Sequence, residues 1–148
     1  GARSRRARPY SGRMAAPVWP QPLLVVRDVP ASSTFYQRVL GAESGHGGDE
    51  YEQIMSGGEL VLQLHALEVE DHHGPLADPG QPLGNGVVVW FEVADFDAAV
   101  ERARATGAPV VHDVLTNPNA RQQELWVRDP DGYLVVLAGP SAYRPRAS

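Results

Sequence analysis

"VRDPDGYLVVLAG", residues 127–139, holds a tight turn followed by a strand without a single charge. Pro130 at the second turn position and Gly132 at the fourth suit a type I turn, so the segments on either side form a hairpin. The incoming strand is "RQQELWVR" and the outgoing one "YLVVLAG". Upstream, "APVVHDV" reads as a further strand. Before it, "FDAAVERARATG" places Phe96, Ala99, Val100 and Ala103 on one helical face, with Asp95 as N-cap and Gly107 as C-terminal cap. "GVVVWFEV" (86–93) leads into that helix as a buried strand.

The first half repeats this order. "PLLVVRDV" (22–29) is a β-branched strand, and Pro30 opens a helix whose buried stripe is Phe35, Tyr36, Val39 and Leu40. Gly41 suits the left-handed cap. Two short strands fall within 42–57, the second around "YEQIM", and "GGELVLQLHAL" supplies another near 59–66. The layout is β-α-β-β-β twice. Gly41 and Gly107 stand 66 residues apart, and Leu64 and Leu137 stand 73 apart. The connector "EVEDHHGPLADPGQPLGN" (68–85) is long enough to act as a lid or linker.

The 148 residues are about one domain's worth, with 43% hydrophobic and 21% charged residues, and no apolar run long enough to span a membrane. The absence of cysteine excludes disulfides and thiolate chemistry, and the absence of lysine excludes Schiff-base mechanisms. Five of the 13 arginines lie in residues 1–13, leaving eight against 18 acidic residues and a body near −10. Such a body repels nucleic acid and anionic membrane. Residues 1–18 are expected to be a disordered Arg-rich leader ahead of or around a natural start at Met14, and 141–148 a tail. Arg5-Arg6 sits like a twin-arginine signal, but "AAPVWPQPLL" is too short and proline-rich for its apolar region, so a cytoplasmic location is expected.

"VRDVPASSTFYQRVLGAE" resembles the first strand and helix of the vicinal oxygen chelate superfamily, and "RDPDGYLVVLAG" resembles its last hairpin. That superfamily includes glyoxalase I, extradiol dioxygenases, fosfomycin-modifying enzymes and bleomycin-resistance binding proteins. The resemblance covers roughly residues 20–139. It implies an α+β fold of paired βαβββ modules, 20–67 and 86–139 within a domain of 19–140, forming a curled mixed sheet around a cleft. A second subunit usually completes the cleft, so a homodimer is expected. In metal-dependent members four strand positions carry ligands. Carried over, they fall on Gln21, Gln63, Val88 and Val136. A catalytic cation needs about three oxygen or imidazole ligands, and two valines supply none. No metal and no other cofactor is therefore expected.

Strand alternation groups Leu23 and Val25 with Gln21, Val61 and His65 with Gln63, Trp90 and Glu92 with Val88, and Leu134 with Val136. A face of this kind suits a small organic molecule, with Leu23, Val25, Gln63, Trp90, Leu134 and Val136 as its contacts. Trp90 serves either stacking or core packing. His65 is a partly exposed strand-end residue on the ordinary reading, and an acid, base or hydrogen-bond partner on the functional one. Glu124, on a strand whose facing is open, is a solvated acid or a partner of His65. Glu92 is read as exposed, His46 and His112 carry no role, and Trp19 is a candidate for packing across a dimer. Asp71, His72 and His73 look metal-like, but adjacent histidines on a loop seldom converge on one ion. The first reading is a metal-free binding protein of the bleomycin-resistance type. Two alternatives remain: a metal-dependent lyase or dioxygenase with a relocated site that includes His65 and Glu124, and a metal-free enzyme with His65 as base.

Overall fold

Both helices start on an aspartate whose side chain caps them. Asp28 accepts from the Ala31 N–H at 2.9 Å, and Asp95 accepts from the Ala98 N–H at 3.1 Å. In the computed structural model, which describes residues 16–119 and 121–141, α1 runs Val29–Leu40 and α2 runs Phe96–Ala105. Pro30 thus lies one residue inside the first turn, because Asp28 takes the cap. Gly41 ends α1 in the left-handed conformation at φ 63°, and Gly107 follows α2 at φ 72°. The stripe on α2 is as expected: Phe96, Ala99, Val100 and Ala103 are buried. On α1, Val29, Ser32 and Ser33 join Phe35, Tyr36 and Val39. Residues 1–15 of the Arg-rich leader and 142–148 of the tail lie outside the described residues.

The strands are β1 (Leu23–Val26), β2 (Glu43–Ser44), β3 (Tyr51–Ser56), β4 (Glu59–Ala66), β5 (Val88–Glu92), β6 (Val110–Asn117), β7 (Gln122–Arg128) and β8 (Leu134–Ala138). They form two four-stranded mixed sheets, ordered β1-β4-β3-β2 and β5-β8-β7-β6. In each, the first strand runs parallel to the last, and the rest are antiparallel. β6 extends three residues beyond the expected 108–114 segment, with irregular register near His112. No described helix is long and apolar enough to cross a membrane.

The inner faces of both sheets and both helices share a single core that includes Val26, Ile54, Leu62, Leu64, Leu125, Val135 and Leu137. Polar groups stitch the modules together. The turn at Asp129 docks on the first module: the Tyr36 hydroxyl donates to Asp129 Oδ2 at 2.6 Å, and the Tyr133 hydroxyl donates to the Val25 carbonyl at 2.8 Å. Burial pushes the Asp129 carboxyl up, against the pull of the Tyr36 hydroxyl, which lowers it. Burial, then the Asp129 charge, pushes the Tyr36 phenol well above its usual range. The phenol therefore keeps its proton and stays a donor. Asp129 Oδ1 meanwhile accepts from the Asp131 and Tyr133 N–H groups, so the turn is closed from within.

A second buried carboxylate organises the first module. Glu52 Oε2 accepts from the Ser33 and Ser44 hydroxyls at 2.8 and 2.6 Å. Its Oε1 accepts from the N–H groups of His46, Gly47 and Gln53. Burial alone would raise this carboxyl, but the five donors outweigh it and hold it at about 2, against 4.5 for an ordinary glutamate. A depressed folded-state value means stability that is present above pH 4.5 and lost as pH falls toward 2. Glu52→Gln should cost roughly 2–3 kcal/mol at pH 7, with the gap to the native protein closing as pH drops below about 4. Denaturant melts of both proteins at pH 7 and pH 3 measure this, and an equal gap at both values would contradict it.

Candidate functional site

Strand β8 lies between β5 and β7, and its pairing decides which side chains line up. Val88, Leu134 and Arg128 form one row across the sheet. Trp90, Val136 and Trp126 form the next, and Glu92, Ala138 and Glu124 the third. Alternation directs all three rows away from the helices, because Val89, Phe91, Leu125, Val127, Val135 and Leu137 pack into the core. The pairing also settles the facing of Glu124, which shares its face with Trp126.

In the middle row, the Trp90 and Trp126 rings meet edge to face, with centroids 6.0 Å apart. His112 makes a second edge contact on Trp126 at 5.3 Å. Trp90 remains 45% exposed, so it is not a core residue, while Val136 between the two rings is fully buried. Val136 therefore supports the rings from below and presents no surface of its own. Glu124 is only 3% exposed. Its Oε2 accepts from Asn117 Nδ2 at 3.0 Å and its Oε1 from Trp126 Nε1 at 2.9 Å. Both oxygens accept, as in an ionised carboxylate, and both donors are neutral. Grooves flank Val88 on two sides: one of about 410 Å³ also touches Pro22, Val61 and Trp90, and one of about 520 Å³ touches Leu83, Arg128 and Leu134.

The first sheet offers a polar counterpart. Its rows are Leu23, Gln63, Gln53 and then Val25, His65, Tyr51. The Tyr51 hydroxyl donates to Gln63 Oε1 at 2.6 Å and accepts from Gln53 Nε2 at 3.2 Å. Gln63 Nε2 donates to the Gln21 carbonyl at 2.9 Å. His65 is buried and meets His73 from the connector, Nε2 to Nε2, at 3.2 Å. The Nδ1 atoms of these rings face the carbonyls of Ala66 and Gly74 at 2.9 and 2.6 Å. A carbonyl only accepts, so in each of these two contacts the ring nitrogen is the donor.

The two modules correspond in register. Leu23 pairs with Gln63 as Trp90 pairs with Val136. Two residues earlier, Gln21 therefore matches Val88. The four positions that the resemblance singled out are equivalent in space, but they do not fit a metal ion. Val88 and Val136 have no donor atom, Val136 is sealed, and the Gln63 amide is already engaged by Tyr51 and Gln21. Among the described residues no three His, Cys, Asp or Glu side chains converge to hold one elsewhere. His65 and Glu124 sit on different sheets, and Glu124 bonds to Asn117 and Trp126. Glu92 is exposed, and Leu23 and Leu134 stay partly open.

Sequence reasoning missed Tyr51, Trp126 and Asn117, and it set His73 aside after weighing it as part of a metal-like cluster. Trp126 was within reach of it: counting back through the hairpin from Leu134 opposite Arg128 puts Trp126 opposite Val136. The His65–His73 contact had no such signal, because a connector can return to any part of a sheet.

Residues 19–137 match the model of the Glyoxalase/Bleomycin resistance protein/Dioxygenase superfamily. The chain belongs to that superfamily. Among solved structures it is similar to a glyoxalase/bleomycin resistance protein/dioxygenase from Nocardioides, at 20% identity and TM-score 0.61 over 92% of this chain and 91% of that one. A glyoxalase/bleomycin resistance protein/dioxygenase family enzyme from Burkholderia phytofirmans PsJN is 17% identical, with TM-score 0.64 over 80% and 95%. An integron cassette protein from the mobile metagenome of V. Cholerae is 22% identical, with TM-score 0.64 over 86% and 98%. At these identities the likeness is one of fold. No curated protein matches the chain.

If Val136 is the sealed support of the tryptophan pair, a carboxylate there is a buried, unpaired charge. Val136→Glu should cost at least about 2 kcal/mol in unfolding free energy at pH 7 and less at pH 4. Denaturant titration checks it. An unchanged midpoint would mean the position opens to solvent.

Proposed function

We propose that this protein binds a small organic molecule, apolar or aromatic in character, on the outer face of its second sheet, with no metal ion at the four strand positions. The observation that carries this reading is the row Trp90–Val136–Trp126, which puts two indoles and a sealed valine where a metal-dependent relative needs a carboxylate. The neighbouring Val88 and Leu134 extend the apolar area. Burying apolar surface contributes roughly 25 cal/mol per Å², less the cost of association, so micromolar affinity is within reach without a metal. The role that fits such a site is sequestration.

The test is titration of the protein against a panel of aromatic compounds by calorimetry. Trp90→Ala should weaken a true ligand by about 1–3 kcal/mol through lost stacking and area. A ligand that binds both proteins equally would place its site elsewhere.

The proposal includes a homodimer. Leu23, Val88 and Trp90 are exposed, and the edge strand β6 exposes Val110, Val111, Val114 and Leu115. A soluble chain rarely leaves that much apolar surface open, and a free edge strand invites pairing. A twofold mate covers both. Sedimentation at micromolar concentration should give twice the 16.0 kDa chain mass, and a monomer would count against the arrangement.

A further inference from the structure

We infer that His65 and His73 together bind a divalent transition-metal cation, zinc by the fit of their spacing. The site is separate from the four strand positions and does not depend on the binding face of the second sheet. His65 stands on β4, two residues beyond Gln63, and His73 comes from the connector in a single 3-10 turn, Asp71–His73. The two rings turn the same atom toward each other, with Nε2 to Nε2 at 3.2 Å. On the opposite side of each ring, Nδ1 donates to a main-chain carbonyl. For His65 the partner is Ala66 at 2.9 Å, and for His73 it is Gly74 at 2.6 Å.

The bond on one side of an imidazole decides what the other side can do. A neutral ring with its hydrogen on Nδ1 keeps its lone pair on Nε2. Two such rings meet lone pair to lone pair, which is repulsive unless positive charge lies between them. A proton or a metal ion supplies that charge, and the geometry favours the ion. Zinc–imidazole bonds of about 2.0–2.1 Å at a tetrahedral angle set two ligating nitrogens about 3.3–3.4 Å apart, close to the spacing found. The ring centroids lie 4.9 Å apart with the planes at 68°, so the rings converge at an angle, as two ligands of one ion do. A carbonyl behind each ring is the usual outer partner of a ligating histidine, fixing its tautomer and its direction. Imidazole is also a donor that zinc accepts readily. His65 is buried and His73 is exposed, so an ion enters from the connector side. His72 touches His73 ring to ring, but no described trio of His, Cys, Asp or Glu converges. Two tetrahedral positions are therefore left for water, and affinity is moderate. A bound ion fastens the connector to the first sheet.

The experiment titrates zinc chloride into the chelator-treated, full-length protein by calorimetry, alongside NMR of the imidazole nitrogens. One zinc per chain should bind in the micromolar range. The Nε2 resonances of His65 and His73 should shift, and their Nδ1 hydrogens should remain. His73→Gln should weaken binding at least about tenfold, and His65→Gln should do the same. His72→Gln should change it by less than about twofold, because that ring lies outside the pair. His65 is buried, so His73→Gln, on the exposed turn, is the deciding variant. Zinc should also raise the melting temperature of the native chain and leave that of His73→Gln unmoved, since an ion that binds only the folded form stabilises it by mass action. Absence of binding at millimolar zinc would overturn the inference. So would affinity that survives His73→Gln, or equal losses from His72→Gln and His73→Gln with His65 resonances unshifted, which would put the ion on the turn alone. None of these results bears on the apolar site of the second sheet, whose own test uses aromatic compounds and Trp90→Ala.

Discussion

The Tyr36 hydroxyl donates to Asp129 across the boundary between the modules, at 2.6 Å and out of reach of solvent. Much of the arrangement depends on that bond. It fixes the hairpin of the second module on the helix of the first, and Tyr133 repeats the connection from the other side to the Val25 carbonyl. Neither partner can lose the other without leaving a buried polar group unmet. The hairpin held in this way sets the register of β7 against β8, and that register builds the rows on the outer face of the second sheet.

The two modules have diverged on a common frame. Equivalent positions carry Gln63 and Val136, Gln53 and Trp126, His65 and Ala138, Tyr51 and Glu124. The first face is a network of amides, a phenol and imidazoles that satisfy one another. The second is aromatic and acidic. Both modules keep the same strands and pairing while the side chains on them differ, which is the freedom that a scaffold of hydrogen-bonded backbone allows.

Buried carboxylates recur in this molecule, and they differ in purpose. Glu52 is surrounded by five donors and is held far toward its charged form. Asp129 is pushed the other way by burial, and is kept in place by Tyr36 and by its own turn. Glu124 has two neutral donors and faces the open side of its sheet. All three are satisfied within the chain.

The amino-acid pattern by itself determined the elements and their order. Short apolar, β-branched runs marked the strands, the spacing Phe96, Ala99, Val100, Ala103 marked a helix, and Gly41, Gly107 and the turn at Pro130 marked the ends. The resemblance to the superfamily, carried over residue by residue, placed valines at two of its four ligand positions. These readings were legible because each depends on neighbours along the chain. What only the tertiary structure decided were the contacts between distant segments: the docking of Asp129 on Tyr36, the return of His73 to His65, and the separation of His65 from Glu124 on different sheets. Whether Trp90 would be core or surface was likewise open in the sequence. Alternation names a residue's face, but burial depends on what packs over that face, and that is a property of the assembled sheets.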